Sequence, residues 1–252
     1  MKQERALGLV FLGVLLGVWE LVARLELVSR RYFPPMTHVI LTFLQLSGSL
    51  DLPLDLGRSL GRMFGGFFLA VLLMVPLGFL MARVRPAYNL FEPLVETLRP
   101  LSAPAIIPVV MLFLGVGNAM KIFVVFYACA FPILINTVDG VRGVDPVFVH
   151  TARTYGATSQ EIMRKVILPA AWPQIFGGLR TSLPIALIVV ITSELIGGND
   201  GLGFFILNNM RNFYIRESYA GLLMVGLVGY GLNRVAMVLD ARFTAWDRKG
   251  RD

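Results

Sequence analysis

Charged residues are scarce in this sequence. Asp, Glu, Lys and Arg together make up 15% of its 252 residues, whereas 56% of the residues are hydrophobic. Soluble domains carry about 25% charged residues, because charge is needed to cover a surface that faces water. The composition therefore excludes an ordinary soluble domain and indicates a protein of the lipid bilayer.

The residues on which several enzyme classes depend are also missing. A Walker A loop needs a Gly-Lys pair, yet none of the four lysines follows a glycine. The two histidines, His38 and His150, do not form the His-Glu-x-x-His pattern of zinc proteases. We therefore expect no catalytic residue and no metal site, and any nucleotide hydrolysis must occur on another polypeptide.

Neither the cysteine content nor the net charge points to a secreted or nucleic-acid-binding protein. The single cysteine, Cys129, lies in an apolar run, which excludes a disulfide framework. The net charge of +7 is spread over short loops, and no RNA- or DNA-binding signature accompanies it. We expect no nucleic acid partner and take the basic residues as determinants of membrane orientation.

Six apolar runs are long enough to span, or nearly span, a bilayer. The runs are residues 6–23, 63–82, 101–120, 122–138, 179–197 and 218–239. They predict about six transmembrane helices, with five or seven as alternatives, and Glu20, Glu194 and Arg234 lie near the ends of three of them. No small-x-small cleavage site follows the first run, so we expect a retained helix and not a signal peptide.

The distribution of Lys and Arg predicts the orientation. These residues are more numerous in the segments that are internal if the N-terminus is cytoplasmic. This places both termini and residues 140–178 in the cytoplasm. The first outer loop, residues 24–62, is itself basic, and its arginines could attract an anion or meet lipid head groups. They are Arg24, Arg30, Arg31, Arg58 and Arg62.

A polar segment at residues 145–169 interrupts the apolar runs. Asp145 suits the N-cap of a helix, and Pro146 suits its first turn. Gly156 and Ala157 are small enough for a sharp turn after that helix. The pattern predicts a first short helix followed by a turn.

The same segment contains the signals of a second helix. Thr158 and Glu161 have the spacing of a capping box. The helix should carry Ile162, Val166 and Ile167 on one face and end at Pro169. The sequence therefore predicts a pair of short helices between two membrane spans.

This segment resembles the cytoplasmic coupling loop of binding-protein-dependent ABC importer permeases. That loop reads Glu-Ala-Ala, three residues, Gly, nine residues, Ile, one residue, Leu-Pro. The matching positions here are His150, Thr151, Ala152, Gly156, Val166, Leu168 and Pro169. The leading Glu-Ala has become His-Thr, and a neutral His150 cannot pair with a basic group as Glu could. His150 is either a tolerated surface substitution or a pH-sensitive contact. The alternative for the whole segment is an ordinary amphipathic helix pair on the membrane surface.

The flanking sequence resembles the sulfonate, nitrate and taurine branch of the same family. The matching features include Pro93, Leu98-Arg99-Pro100, Pro104 to Pro108, Gly115-Val116-Gly117, Phe131-Pro132, Ser193-Glu194 and Gly201-Leu202-Gly203. The resemblance covers residues 58–246 and implies an all-α polytopic membrane protein of the type I ABC importer permease fold with about six transmembrane helices. Residues 1–57 would form an N-terminal helix and outer loop, and residues 247–252 a cytoplasmic tail.

The resemblance also implies a function. The chain would be the transmembrane permease subunit of an ATP-driven importer in the bacterial cytoplasmic (inner) membrane. Two permease copies would pair around a path, as a homodimer or with a paralogue, and separate ABC ATPase subunits would carry ATP and Mg. A periplasmic or lipid-anchored substrate-binding protein would deliver a small solute, with an anion such as a sulfonate or nitrate expected. The alternative is a secondary transporter without an ATPase, which should show an inverted repeat that we do not see.

In such a permease, the polar segment would dock on the ATPase. We expect the apolar contacts from Ile162, Met163 and Val166, with basic residues at the rim. The full set of expected coupling residues is His150, Thr151, Ala152, Arg153, Gly156, Ala157, Ile162, Met163, Val166, Leu168 and Pro169.

The remaining candidates concern the translocation path. Pro104, Pro108 and Pro132 should disturb their helices and could line the path or serve packing alone. Glu194 could be a polar contact in the path or could reach interfacial water. Residues 201–217 are too polar to span and predict an interfacial or re-entrant helix on the outer face, where a binding protein could dock, or a surface loop.

Overall fold

The computed structural model describes residues 2–29, 31–49 and 51–243. In this part of the chain, eleven α-helices and one π-helical turn follow one another without a β-strand. The helices are α1 (Lys2–Arg24), α2 (Met36–Gly48), α3 (Asp51–Arg83), α4 (Arg85–Leu98), α5 (Ala103–Leu114), α6 (Asn118–Arg142), α7 (Pro146–Thr154), α8 (Ser159–Ile162), α9 (Leu168–Gly197), α10 (Leu202–Arg211) and α11 (Ile215–Phe243). The predicted tail at 247–252 lies outside the described residues.

Several of the described helices are long and apolar enough to cross a bilayer. Four stretches meet this condition: Asp51–Arg83, Asn118–Arg142, Ser159–Gly197 and Ile215–Arg242. The pair α4 and α5, bent by 102°, would add a fifth if it forms one span. Helix α1 coincides with the first predicted span, residues 6–23. The all-α polytopic architecture expected from the sequence is confirmed.

The third predicted span, residues 101–120, is not one helix. Gly115 ends α5 with a φ of +68° and a ψ of −177°, a combination that glycine adopts without steric cost. Helix α6 begins only at Asn118. The 12 residues of α5 extend about 18 Å, which is less than a hydrocarbon core of about 30 Å, so α5 cannot cross alone. The predicted span at 101–120 is therefore wrong as a single crossing helix, because hydropathy does not register a glycine stop.

The prolines disturb their helices less than expected. Helices α5 and α6 continue across Pro108 and Pro132 without interruption. Pro104 occupies the first turn of α5, where a backbone N–H has no acceptor within the helix, so the proline removes no hydrogen bond. The Asn136 side-chain amide donates to the Pro132 carbonyl at 2.8 Å, which adds a hydrogen bond next to this proline. The expectation of broken helices at these positions was wrong.

The second helix of the polar segment also continues where an end was expected. Helix α8 passes through the π-helical turn Met163–Ile167 directly into α9, and Pro169 lies in the first turn of α9. The Leu168 N–H donates to the Met163 carbonyl, one residue further back than in an α-helix. We attribute the continuity to this wider turn, because π-bulges take up an extra residue without ending a helix. Pro169 therefore does not stop the helix.

The chain divides into two compact units, which are described separately. One unit comprises Met1–Arg58 with Asn199–Val228, and the other comprises Ser59–Gly198 with Gly229–Asp252. In the second unit, α6 packs along α9, and α5 packs on both helices. Met81 of α3 is buried against Leu134 and Val138 of α6.

Glycines bring the long helices of the second unit close together. A Cβ atom on Gly66 of α3 would lie 2.6 Å from the Ile122 carbonyl oxygen and from the Val125 Cβ of α6. A Cβ atom on Gly178 of α9 would lie 2.7 Å from the Asn136 Cβ of α6. Small residues at such contacts allow van der Waals packing between membrane helices, where the hydrophobic effect contributes little.

In the first unit, aromatic residues hold the N-terminal helix against the chain that follows it. The rings of Trp19 and Phe33 stack at 4.5 Å, and the Trp19 indole N–H donates to the Pro34 carbonyl at 3.1 Å. The Asp55 carboxylate accepts the Gly201 N–H at 2.9 Å, just before α10 begins. Residues 202–211 form a helix as predicted, so the alternative of a surface loop is wrong for them.

Candidate functional site

The first helix of the 145–169 segment begins and ends as its residues predict. The Asp145 carboxylate accepts the Val147 N–H at 2.8 Å, and Pro146 is the first residue of α7. After α7, Gly156 adopts a φ of +77°. Its N–H donates to the Arg153 carbonyl at 2.9 Å, which closes the turn. The predicted cap and turn are confirmed.

The second helix begins with a complete capping box. The Thr158 hydroxyl accepts the Glu161 N–H at 3.3 Å, while a Glu161 carboxylate oxygen accepts the Thr158 N–H at 3.0 Å. The Lys165 ammonium lies 3.0 Å from the other carboxylate oxygen. The helix from Ser159 to Gly197 is about 58 Å long, far more than a bilayer core, and Glu161, Arg164 and Lys165 place charge at its N-terminal end. This end therefore lies outside the membrane. There the Thr158 N–H, followed by the Lys165 ammonium, lowers the pKa of Glu161 to about 2.

One face of the 145–169 segment is buried against the long helices. Ile162 and Ile167 belong to a core cluster with Val141 of α6 and Ala171 and Ile175 of α9. Partly buried residues pack around this cluster, including Val149, Ala152, Ala157, Met163 and Val166. The segment is therefore attached firmly to both helices.

The burial corrects one sequence-based expectation. Ile162 is only 3% exposed, so it cannot offer an apolar contact to another protein. Met163 and Val166, the other two expected contacts, are half-buried. The apolar pattern of this helix was correctly recognised, but it serves the chain's own core.

Outside the buried cluster, the segment exposes a different set of apolar side chains. Val147 is 62% exposed, Phe148 59% and Tyr155 87%. Phe148 also lines a concave region of about 440 Å³ next to Lys165 and Val166. The same region includes Thr151, Ala152, Pro169 and Ala170. Sequence reasoning missed these aromatic residues, although the seven-residue spacing of Phe148 and Tyr155 was a usable signal of one helical face.

The other predicted coupling residues lie around this exposed face. His150, Thr151, Arg153, Gly156, Leu168 and Pro169 are exposed, and Ala152 and Ala157 are half-buried. The structure thus brings most of the predicted residues to one short hairpin of helices.

Glu194 lies in a buried ion pair. Its side chain is 0% exposed, and its carboxylate lies 2.7 Å from the guanidinium of Arg62, which is 5% exposed. The Ser59 hydroxyl lies within 2.9 Å of both carboxylate oxygens, and the Arg62 Nε donates to the Asn118 side-chain carbonyl at 2.7 Å. The alternative that Glu194 reaches interfacial water is wrong. The sequence assigned Arg62 to an outer loop and did not reveal this partner 132 residues away.

Two of the three candidate prolines line a cavity of about 540 Å³. Pro104 and Pro132 border it, together with Arg99, Tyr127 and Ile185. Pro108 and Glu194 do not border this cavity. The Tyr127 hydroxyl donates to the Leu98 carbonyl at 2.6 Å and ties the bend between α4 and α5 to α6.

Comparison with known proteins identifies the family. Residues 74–246 match the family described as the binding-protein-dependent transport system inner membrane component. The chain belongs to this family. It is a permease of the ABC importer type, a multi-pass protein of the inner membrane, and the resemblance to the sulfonate, nitrate and taurine branch is confirmed.

Two relatives match the permease over nearly its whole length. It is 30% identical over 251 residues to the taurine transport system permease protein TauC of Escherichia coli, covering 98% of this chain and 91% of that protein. It is 30% identical over 239 residues to the putative aliphatic sulfonates transport permease protein SsuC of Bacillus subtilis, covering 95% and 87%.

A solved structure shows the same fold at lower identity. A chain of the methionine ABC transporter MetNI, in an inward-facing conformation, aligns with a TM-score of 0.66 and 19% identity. The alignment covers 77% of the permease and 96% of that chain. This similarity confirms the type I importer permease fold.

Proposed function

We propose that the permease transmits the work of a separate ABC ATPase through the exposed face of the 145–169 segment. ATP and Mg would bind to that ATPase and not to this chain. One observation carries the proposal. The segment buries part of its surface on α6 and α9 and leaves the side chains of Val147, Phe148 and Tyr155 exposed. Because the buried part fixes the segment to both helices, a displacement of the exposed part would move the helices as a rigid body.

The expected contacts combine apolar and charged groups. Phe148 and Tyr155 would enter a cleft on the ATPase, because aromatic anchors dominate interface energetics. Arg153, Arg164 and Lys165 lie exposed at the same segment and would meet acidic groups at the rim. His150, also exposed, would lie at the edge of this contact.

This assignment determines the orientation that we propose for the whole chain. Both termini and the 145–169 segment would face the cytoplasm, in agreement with the distribution of Lys and Arg. Two copies of the permease would form a homodimer around the translocation path. A substrate-binding protein would deliver the solute from the outer side.

We propose a small anion, such as an organic sulfonate, as the solute. The names of TauC and SsuC refer to taurine and aliphatic sulfonates, and both relatives match nearly the full length of this chain. Uptake of a labelled alkanesulfonate that carries no amino group, with sulfate and a neutral amino acid as comparisons, tests this point.

The coupling role is tested by removing the two aromatic rings. Phe148→Ser with Tyr155→Ser should leave membrane insertion intact but reduce ATP-driven uptake into proteoliposomes at least about tenfold, because interface hot spots contribute about 2 kcal/mol or more. The permease is reconstituted with the ATPase encoded alongside it. Tyr230→Ser, at an exposed tyrosine of α11, is the matched control. Full uptake by the double variant would refute the role of this face.

A further inference from the structure

Helix α4 lies against α6 but buries little of its own surface there. None of its residues is fully buried, and the side chains that pack on α6, those of Tyr88, Phe91 and Val95, are half-buried. A cavity of about 220 Å³ is lined by both helices, with Glu92 on one side and Asp139 on the other. The position of α4 on α6 therefore depends strongly on the contacts near its two ends.

Arg142 makes the contact at the start of α4. Its guanidinium carbon lies 3.7 Å from the centre of the Tyr88 ring, where a cation is attracted to the π face. The Tyr88 hydroxyl donates to the Glu92 carboxylate at 2.5 Å, which fixes the ring. The guanidinium of Arg142 also donates to the Met81 carbonyl at 3.4 Å, one of the last carbonyls of α3, which lack an N–H partner within their own helix. One side chain thus holds the end of α3 and the start of α4 on the end of α6.

The other end of α4 is tied to α6 as well. The Leu98 carbonyl accepts the hydrogen bond from the Tyr127 hydroxyl. Residues 99–101, in the bend that follows, line the cavity of about 540 Å³ that Pro104 and Pro132 also border. A displacement of α4 relative to α6 would therefore change the shape of this cavity wall.

Arg142 is also continuous with the base of the 145–169 segment. It is the last residue of α6, and Asp145 caps α7 three residues later. The preceding residue, Val141, is buried in one cluster with Ile162 and Ile167 of the segment. A displacement of the segment should therefore carry Arg142 with it.

We propose that Arg142 is a positioning residue for transport. Its contact with Tyr88 makes α4, and with it the cavity wall at residues 99–101, move together with the 145–169 segment. The inference rests on the proposed function, because the segment must receive the movement of an ATPase. Without the contact, the segment would still dock and ATP would still be hydrolysed, but the movement would reach the cavity wall incompletely.

A distance measurement tests the joint movement without altering the contact. Spin labels are placed on cysteines at Asn89 of α4 and Gln160 of α8, which are exposed, whereas the native Cys129 is buried. The complete complex of permease, ATPase and binding protein is studied in nanodiscs, nucleotide-free and vanadate-trapped. Labelled permease is diluted with unlabelled copies, so that the distance is measured within one chain.

The distance between the two labels should change by less than about 2 Å between the two states, the size of a local helix shift. In Arg142→Gln it should change by more, or its distribution should broaden. A larger change with Arg142 present, or a fixed distance in Arg142→Gln, would overturn the positioning role. Labels at Gln160 alone report the approach of the segments of two copies. No change between those labels would contradict the proposed coupling role, on which this inference depends.

A transport assay tests the consequence. The measured quantity is the uptake of the labelled alkanesulfonate for each ATP hydrolysed in proteoliposomes. Arg142→Gln and Tyr88→Leu should each lower this ratio about two- to tenfold, the range of effects expected within a coupled network. Arg142→Lys keeps a cation and Tyr88→Phe keeps the ring, so both should retain most of the wild-type ratio. Arg85→Gln is the matched control, because it removes the same charge from an exposed position at the start of α4.

The outcomes separate positioning from docking and from surface charge. A wild-type ratio in both Arg142→Gln and Tyr88→Leu would overturn the positioning role and leave the docking face intact. An equal loss in Arg85→Gln would show that charge at the membrane surface matters and not the contact, which would also overturn it. So would a loss of the ATPase from the purified Arg142→Gln complex, because Arg142 would then act in docking.

Discussion

The Arg62 guanidinium and the Glu194 carboxylate lie 2.7 Å apart, and both side chains are buried. The pair joins α3 to α9, and Asn118 brings in α6 through the Arg62 Nε. Burying two charges is costly, and mutual attraction offsets that cost only while both partners are present. The loss of one partner should therefore be more harmful than the loss of both.

Replacing one member of this pair should strongly destabilise the permease. Arg62→Met alone, or Glu194→Leu alone, leaves an uncompensated buried charge and should cost about 3–5 kcal/mol. The double replacement should recover most of that loss. Thermal unfolding in detergent measures the effect, with Arg99→Met as the control, because the exposed Arg99–Glu96 pair at 3.1 Å should contribute less than about 1 kcal/mol. A double variant no more stable than either single variant would contradict this account.

A methyl group at Gly66 should disrupt the packing of α3 on α6. The added Cβ atom would lie 2.6 Å from the backbone oxygen of Ile122, which cannot move without shifting the helix. We expect Gly66→Ala to lower the stability by about 1–3 kcal/mol, the usual cost of overpacking. Gly61→Ala is the matched control, since nothing lies within 4 Å of its Cβ position. The yield of folded protein and its melting temperature report the difference, and equal melting temperatures for the two variants would show that the helices can separate freely.

At Gly156, a replacement should be tolerated if it adopts a positive φ readily, and its size should not matter. Space around it is open, because no atom lies within 4 Å of the position that a Cβ atom would take, so its φ of +77° is the only restriction. Asn visits this left-handed region readily, whereas a β-branched residue does not. Gly156→Asn should transport nearly as the wild type does. Gly156→Val should lose ATP-coupled uptake, and the amide hydrogens of residues 145–169 should exchange faster in this variant. If both variants behave alike, the turn does not depend on the positive φ.

The short-range features of the 145–169 segment could be predicted from the sequence. Asp145 at the N-cap and Thr158 with Glu161 in the capping box involve residues within three positions of each other, and their geometry is local. The apolar runs also predicted most of the long helices. These signals work because backbone hydrogen bonding and hydropathy are properties of neighbouring residues.

Features that depend on distant contacts could not be predicted in the same way. Ile162 is buried because α6 and α9 pack against it. The apolar periodicity of its helix would be the same if Ile162 faced solvent. The partner of Glu194 lies 132 residues earlier in the chain. The passage of the helix across Pro169 depends on a π-helical turn, for which Met163–Ile167 carries no recognised sequence signal.

The unbroken helix from Ser159 to Gly197 has a mechanical consequence. One end carries the capping box of the 145–169 segment, and the other carries Glu194 of the buried pair. A continuous helix couples the displacement of one end to that of the other, and the π-helical turn is its one stretch of non-α winding within the described residues. The two ends should therefore move in the same transition, and states in which only one end has moved should be short-lived. Single-molecule distance records with probes near both ends would then show one step for each transition instead of two.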